Sequence, residues 1–487
     1  MKFIKLTCLI LAAILLFGSC GGGGGDGETD IPAETSETAA AETTAGRADN
    51  LPRDLDFGGR TVKCYAAGKY SIGYTAEDSA DIISDLIYRR NAEAEETLNL
   101  KIEMEYCPSE PWNNMSERVK TAVMAGEDDI DLICGSNWYT TKFVFNGWVR
   151  DLSGAPYVDI TQDWWAGGYI NGMSYAGHYY YLTGPIELGY LSGMICFYAN
   201  TKLWEGLYEE NVHAMVRDGS WTLDKLISLG EGAYADLNGD GAPNDGDVYG
   251  FAVATDFECE YIAYGCGVRV APFDDSGTPQ LAFIEDPAQL ISFWDKWYKI
   301  KTNPNFVNII WNPETDTNYA AIEIFKRDEL LFMKSPLGII TSLLRDMESE
   351  YAILPIPKLD ESQKDYIAVM TDGNPIYSSP ITASDAGFEA AMALLEFCAA
   401  KSYAEITPAY LEDALKNKYI RDLESVETIN MLTVHPLSDF GALYLDLGFY
   451  SFLRYDVKDE NIASAIEKKA KTFAKNLEKM LVALEGG

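Results

Sequence analysis

The sequence predicts an α/β protein of more than one domain with a helical C-terminal region. Three observations carry this. The first third alternates β-branched or aromatic runs with helix-period runs, a second group of short apolar runs lies between residues 194 and 370, and the chain after Phe388 is mostly helical in pattern. About 433 residues follow Asp54, too many for one hydrophobic core. A hydrophobic content of 47% suits packed globular domains.

Taken in order, Thr61–Ala67 is β-branched and aromatic and predicts a strand. Ser79–Leu98 places Ile82, Leu86, Ala92 and Leu98 among charges and predicts a helix. Strand Lys101–Tyr106, helix Ser116–Ala125 and strand Ile130–Cys134 follow. A β-α-β-α-β order predicts a parallel sheet, with ligands beyond the carboxyl ends of its strands. The third strand runs into Gly135-Ser136-Asn137-Trp138-Tyr139, so two aromatics stand at such an end. Met194–Ala199, Gly250–Ala254, Leu331–Met333, Tyr351–Pro355 and Tyr366–Met370 read as strands of a second α/β unit. The last helix carries Ile462, Ile466, Phe473, Leu477, Leu481 and Leu484 on one face, a core-packing stripe. Leu290, Trp294 and Trp297, three to four apart, are likewise assigned to core.

The first residues read as a secretion signal. Lys2 and Lys5 supply a basic end, and Leu6–Phe17 is a nearly apolar run, shorter than the roughly 20 residues needed to span a bilayer. Gly18-Ser19-Cys20 resembles a bacterial lipoprotein cleavage site, with Phe17 where leucine is usual. The resemblance implies removal of residues 1–19 and lipid attachment at Cys20. Residues 20–54, rich in Gly, Glu, Thr, Ala and Ser without apolar periodicity, are expected to form a tether. Localisation is then extracytoplasmic, on the membrane through the lipid alone.

Two of the 38 basic residues leave with the signal, against 75 acidic ones that stay. Such a body is repelled by nucleic-acid phosphates and anionic lipid headgroups. Seven cysteines remain besides Cys20; there is no CxxC pair and only three histidines, which argues against a zinc site. Cys64, Cys107, Cys134 and Cys196 fall in strand-like runs as buried thiols, whereas Cys259 and Cys266 are close enough in sequence for a disulfide.

Residues 220–251 combine a Trp221-Thr222 helix start, an Asp-rich turn and Tyr249-Gly250-Phe251. With Arg90-Asn91, Ala352-Ile353-Leu354-Pro355-Ile356-Pro357, Asp360-Glu361-Ser362-Gln363, Thr407-Pro408-Ala409-Tyr410 and Lys418-Tyr419-Ile420-Arg421-Asp422, this resembles family 1-like extracellular solute-binding proteins of carbohydrate importers of the ABC type. The order of the motifs, over nearly all of the mature chain, carries the resemblance. It implies a two-lobed, periplasmic-binding-protein-like (type II) fold, closing by a hinge on a ligand and delivering it, as a monomer, to ABC permease subunits. The implied first crossing between lobes is near Pro185–Gly193 and the return near Tyr366–Tyr377. Lobe 1 is expected over 55–187 and 376–440, lobe 2 over 188–375 and 441–487, with the helical tail packing on both.

A sugar site needs flat aromatic platforms for C–H faces and polar groups for hydroxyls. Trp138 and Tyr139 are the first candidates; the alternative is a hydrophobic cover for the next helix. Trp165, in Asp163-Trp164-Trp165-Ala166-Gly167-Gly168, is a candidate with an equal structural alternative. Glu187 stands at the first crossing, and Asp372 and Asn374 at the second, where Asp-Gly-Asn also reads as a turn. Asp256, Tyr261 and Trp311 follow strand or loop ends in the second unit. Where the family often carries Gly-Pro-Trp, this chain has Ser335-Pro336-Leu337, without the ring.

Asp236, Asn238, Asp240, Ala242 (through its carbonyl), Asn244 and Asp247 fall at positions 1, 3, 5, 7, 9 and 12 of a segment with Gly241 at 6. That spacing resembles calcium loops of the EF-hand and dockerin type, so a structural calcium ion is expected. Position 12 is Asp247 in place of the usual Glu, and Pro243 occupies position 8.

Two other functions suit the same composition: a surface glycoside hydrolase, and a non-transporting polysaccharide-binding adhesin or sensor. The sequence contains no GxSxG, HExxH or Walker loop, so it is read as a binding protein and not an enzyme.

Overall fold

Two seven-residue runs build the first strands, the first buried over Cys64–Ala66 and the second alternating between buried and exposed over its first four residues. In the computed structural model, β1 (Arg60–Ala66) and β2 (Leu100–Tyr106) pair in parallel from Arg60↔Leu100 to Ala66↔Tyr106, linked by α1 (Ile82–Leu98). The structure describes residues 49–68, 71–73, 82–108, 111–244, 246–254, 259–309, 320–412, 422–434 and 436–485. The signal segment, Cys20, most of the tether, Asp256 and Trp311 lie outside them. After α2 (Pro111–Ala125), β3 (Leu132–Ser136) pairs in parallel with the other side of β1.

A second sheet holds β4 (Ile195–Asn200), β5 (Tyr249–Ala254), β6 (Val307–Ile309), β7 (Leu330–Pro336) and β8 (Tyr351–Leu354), in the order β6-β5-β7-β4-β8. Within it, β4 is buried at every residue and antiparallel to both of its neighbours, β7 and β8. The continuous apolar run Ile195-Cys196-Phe197-Tyr198-Ala199 suits a strand covered on both faces. Helix α3 (Leu223–Ala233) is capped by Thr222, whose hydroxyl accepts from the Lys225 N–H at 3.2 Å. The indole of the fully buried Trp221 donates to the Pro355 carbonyl at 2.8 Å, joining two of the sequence motifs. Gly250 lets α3 approach β5, since a Cβ there would overlap the backbone of Gly230.

The chain then passes through α4 (Cys259–Gly265) and α5 (Ala288–Thr302), where Leu290, Trp294 and Trp297 are buried as expected. It returns to the first sheet as β9 (Pro375–Ser378), antiparallel to β3. Helix α6 (Asp385–Lys401), buried on almost every side, packs on β1 and α1. Helix α7 (Leu423–Val434) packs on β8 of the second sheet, so the segment 376–440 does not stay with the first sheet as the sequence suggested. The last helix, α8 (Ile462–Glu485), touches both Lys142–Phe145, just after β3, and α5.

The two crossings run side by side. Leu182 and Tyr377 exchange backbone hydrogen bonds at 2.9 and 2.8 Å, and the Thr371 N–H donates to the Gly193 carbonyl at 3.0 Å. The expected strand Tyr366–Met370 is only bridged, at Met194↔Met370 and Ala368↔Pro436, because it runs across between the sheets. Arg90, buried on α1, fixes the first crossing by donating to the carbonyls of Ile186 and Ile72 and to Ser402 Oγ. All seven cysteines among the described residues are buried thiols, Cys259 and Cys266 included. No helix among the described residues is long and apolar enough to cross a membrane.

Candidate ligand-binding site

The carboxyl end of β3 delivers Asn137 and Trp138 against the second crossing. Their backbone N–H groups donate to the carbonyls of Asn374 (3.3 Å) and Asp372 (3.0 Å). The half-buried Trp138 ring then meets Tyr450, with ring centres 5.6 Å apart and planes tilted by 57°. Arg454 lies beside both rings, its guanidinium carbon 5.7 Å from the Trp138 centroid and 5.2 Å from that of Tyr450.

Arg454 comes from the π-turn Phe452–Asp456 ahead of α8 and is ion-paired with Glu260 of α4. It also lies 3.7 Å from Asp372 on the second crossing. The Asp372 N–H donates to the Tyr261 hydroxyl at 3.2 Å, and the buried Lys334 ammonium of β7 sits 4.9 Å from the Tyr261 ring centroid. Two cations and two carboxylates thus meet where β3, α4, β7, the second crossing and the tail converge. Burial pushes Glu260 up to about 7 against the pull of Arg454, and raises Asp372 likewise. Burial alone would lower Arg454; Glu260, Tyr261 and Asp372 hold it up. The walls are nearly closed, leaving a void of about 20 Å³ lined by Asn137, Tyr169, Glu260, Tyr261 and Asp372 among others, room for one water.

Of the residues singled out in the sequence, Trp138, Tyr261 and Asp372 meet here. Tyr139 is half-buried and packs against the core instead. Asn374 is fully buried and joins the crossings, donating from Nδ2 to Thr183 Oγ1 at 3.2 Å. Glu187 is half-buried near Tyr377 and Gly73, beside the loop after β1. Trp165 is a correction: it is buried, and its indole N–H ends 2.9 Å away on Glu396 of α6. An indole with a buried acceptor is held as core. Sequence reasoning missed Tyr450, Arg454, Glu260 and Lys334. The available signal was a charged residue inside an apolar run, as in Gly448-Phe449-Tyr450-Ser451-Phe452-Leu453-Arg454.

The loop at 236–247 folds on its own N–H groups. Asp236 accepts from Gly239 (2.7 Å) and Gly241 (2.8 Å), and the fully buried Asp247 accepts from Leu237 (3.1 Å) and Asn244 (3.0 Å). Asn244 Nδ2 lies 2.6 Å from Asp240 Oδ2 and 2.8 Å from the Ala242 carbonyl. Among the described residues, no three His, Cys, Asp or Glu side chains gather as a metal cluster.

No protein-family model matches the chain, and no curated protein sequence matches it. Solved structures do match in fold. An ABC transporter solute-binding protein of Thermotoga lettingae bound to α-D-tagatose is 13% identical, with 87% of this chain and 100% of that one covered at a TM-score of 0.53. An ABC substrate-binding protein of Listeria monocytogenes in complex with cycloalternan is 11% identical, covering 86% and 99% at 0.52. A Mycobacterium tuberculosis protein in complex with glycerophosphocholine is 12% identical, covering 88% and 99% at 0.53. The fold is the two-lobed, periplasmic-binding-protein-like one that these structures share.

Proposed function

We propose that this chain is the lipid-anchored substrate-binding protein of an ABC importer. It captures a mono- or oligosaccharide between its lobes and hands it, without turnover, to permease subunits. The observation that carries the proposal is the Trp138–Arg454 contact: a ring from the end of β3 faces a cation held by Glu260 and Asp372, so groups from both sheets and a crossing converge on one place. Aromatic faces flanked by fixed donors and acceptors suit C–H faces and hydroxyls. The fold neighbours bound to tagatose and cycloalternan support a sugar, and their shared architecture supports closure by a hinge at the paired crossings. Lobe 1 is proposed to comprise 55–187 and 376–412, and lobe 2 to comprise 188–375 together with α7.

The hydrolase alternative is less favoured because Glu260 and Asp372 both lie against Arg454, which leaves neither placed as an independent acid and base. The test is a thermal-shift screen of mono- and oligosaccharides, with turnover assayed in parallel. A hit at 100 times its dissociation constant raises stability by about 2.7 kcal/mol. Chromogenic glycosides hydrolysed at enzymatic rates would overturn the receptor reading.

For the 236–247 loop we propose calcium binding with a structural role. The Asn244 amide stands within hydrogen-bond reach of two expected ligand oxygens, Asp240 Oδ2 and the Ala242 carbonyl, so rotating the amide brings a third oxygen to the same point.

A further inference from the structure

Two sequence motifs are not used by the cleft: Asp163-Trp164-Trp165-Ala166-Gly167-Gly168 and Thr407-Pro408-Ala409-Tyr410. They meet in a groove of about 1380 Å³, far larger than the closed cleft and above the roughly 300–1,000 Å³ of ordinary small-molecule sites. One wall is residues 160–171 and 403–412, on the side of the first sheet; the facing wall is the end of α7, which packs on the second sheet, and Pro436–Ser438. The first crossing, at Pro185, Tyr190 and Leu191, forms part of the lining. The groove is thus distinct from the Trp138–Arg454 site, although Tyr169 borders both voids.

The lining has a definite chemistry. Tyr403 is 42% exposed and offers a ring to the groove. Asp163 stands near its hydroxyl, and burial followed by the Asp163 charge pushes that hydroxyl up. Gln162, Asn171 and Asn430 add amides, and Thr433 a hydroxyl. Among the described residues, the lining carries two carboxylates, Asp163 and Glu412, and no lysine, arginine or histidine. Amides, a hydroxyl and two carboxylates beside an exposed ring suit a neutral polyhydroxylated chain stacked on that ring.

We propose that this groove is a second carbohydrate site, taking a neutral oligosaccharide of several rings on Tyr403, separate from the interlobe cleft. Its walls belong to segments that pack on different sheets, so closure of the cleft alters the groove.

The test uses the full mature protein with maltotriose, cellotriose, xylotriose and mannotriose as probes in calorimetric titrations. The cleft is disabled by Trp138→Ala with Tyr450→Ala, and folding is checked by circular dichroism. At least one probe should still bind this variant at millimolar concentration. Adding Tyr403→Ala should weaken that binding roughly 5-fold or more, the loss expected for one stacked ring. Tyr403→Ala alone should leave intact the binding that Trp138→Ala removes. If no probe binds the folded cleft-disabled variant, or if Tyr403→Ala leaves its binding unchanged, the second site is overturned. Failure of the importer reading looks different: the parent protein then shows no binding that depends on Trp138.

Discussion

Trp165 and Glu396 are bound to each other in the core beside the first sheet, the indole N–H ending 2.9 Å from the carboxylate. Trp164 donates to the same group at 3.1 Å, and so does the backbone of Asn50 at 3.1 Å. A fully buried carboxylate thus gathers two adjacent indoles and the backbone of Asn50. Removing it strands buried donors. Glu396→Ala should lower stability on the order of 3 kcal/mol, measured by urea denaturation, because each unsatisfied buried donor costs about 1–3 kcal/mol. A change within a few tenths of that of a surface substitution would show that the clasp is not structural.

Glu260 and Arg454 form a buried pair, and its behaviour separates two ideas about such pairs. Arg454→Met alone leaves Glu260 buried beside Asp372 and should cost roughly 3–5 kcal/mol. Arg454→Met combined with Glu260→Met removes both charges and should recover most of that loss. A double variant as unstable as the single one would show that the pair itself contributes net stability.

The same carboxylate sets a pH dependence. Burial raises Glu260 from 4.5 to about 7, so between those values the folded protein holds a proton that the unfolded chain has released. Stability from this group is therefore fully present below the unfolded value and is lost as the pH rises through about 7. Asp372 and Glu396 are shifted in the same direction, so the parent profile alone does not isolate Glu260. The difference between parent and Glu260→Gln does: its slope should lie between about 4.5 and 7. A flat difference profile would place the folded value near the ordinary one.

How much of this was legible in the sequence differs between frame and site. β1, β2 and β3 were found within two residues because β-branched and aromatic runs repeat along the chain. β6 has three residues, and β9 begins with proline after a turn, so neither leaves a pattern of its own. Trp138 was legible as an aromatic at a strand end. Its partners were not, because Arg454 meets Glu260 across 194 positions and no periodicity links them.

Calcium is testable on the loop. Adding a chelator should lower the melting temperature, and Asp240→Ala should remove that response, since Asp240 Oδ2 already shares a point with the Ala242 carbonyl. Asp247→Ala should destabilise with or without calcium, because Asp247 also holds the N–H groups of Leu237 and Asn244. Superimposable melting curves with and without chelator leave the loop as a hydrogen-bonded turn.

The anchor has its own experiment. Cys20→Ser should move the protein from the membrane fraction to the soluble extracytoplasmic fraction, because the chain's acidic excess gives it no other affinity for anionic lipid. Unchanged membrane retention would mean that something other than a lipid at Cys20 holds it there.

The functional prediction separates two neighbours in sequence. Trp138 lies against Tyr450 and Arg454, whereas Tyr139 packs against the core, so their truncations should differ. On the proposed reading, ligand takes the Trp138 face now held against Arg454 and Tyr450, and would favour closure only through contacts that the open form lacks. Trp138→Ala removes the stacking surface and should cost on the order of 1–3 kcal/mol, roughly a 5- to 150-fold loss of affinity. Tyr450→Ala should act in the same direction. Tyr139→Ala should alter stability more than affinity. Calorimetric titration against the best sugar from the screen measures all three, with circular dichroism as the folding control. If folded Trp138→Ala binds like the parent while Tyr139→Ala does not, the ring that carries the ligand is the other one, and the cleft must open along a different wall of the loop after β3.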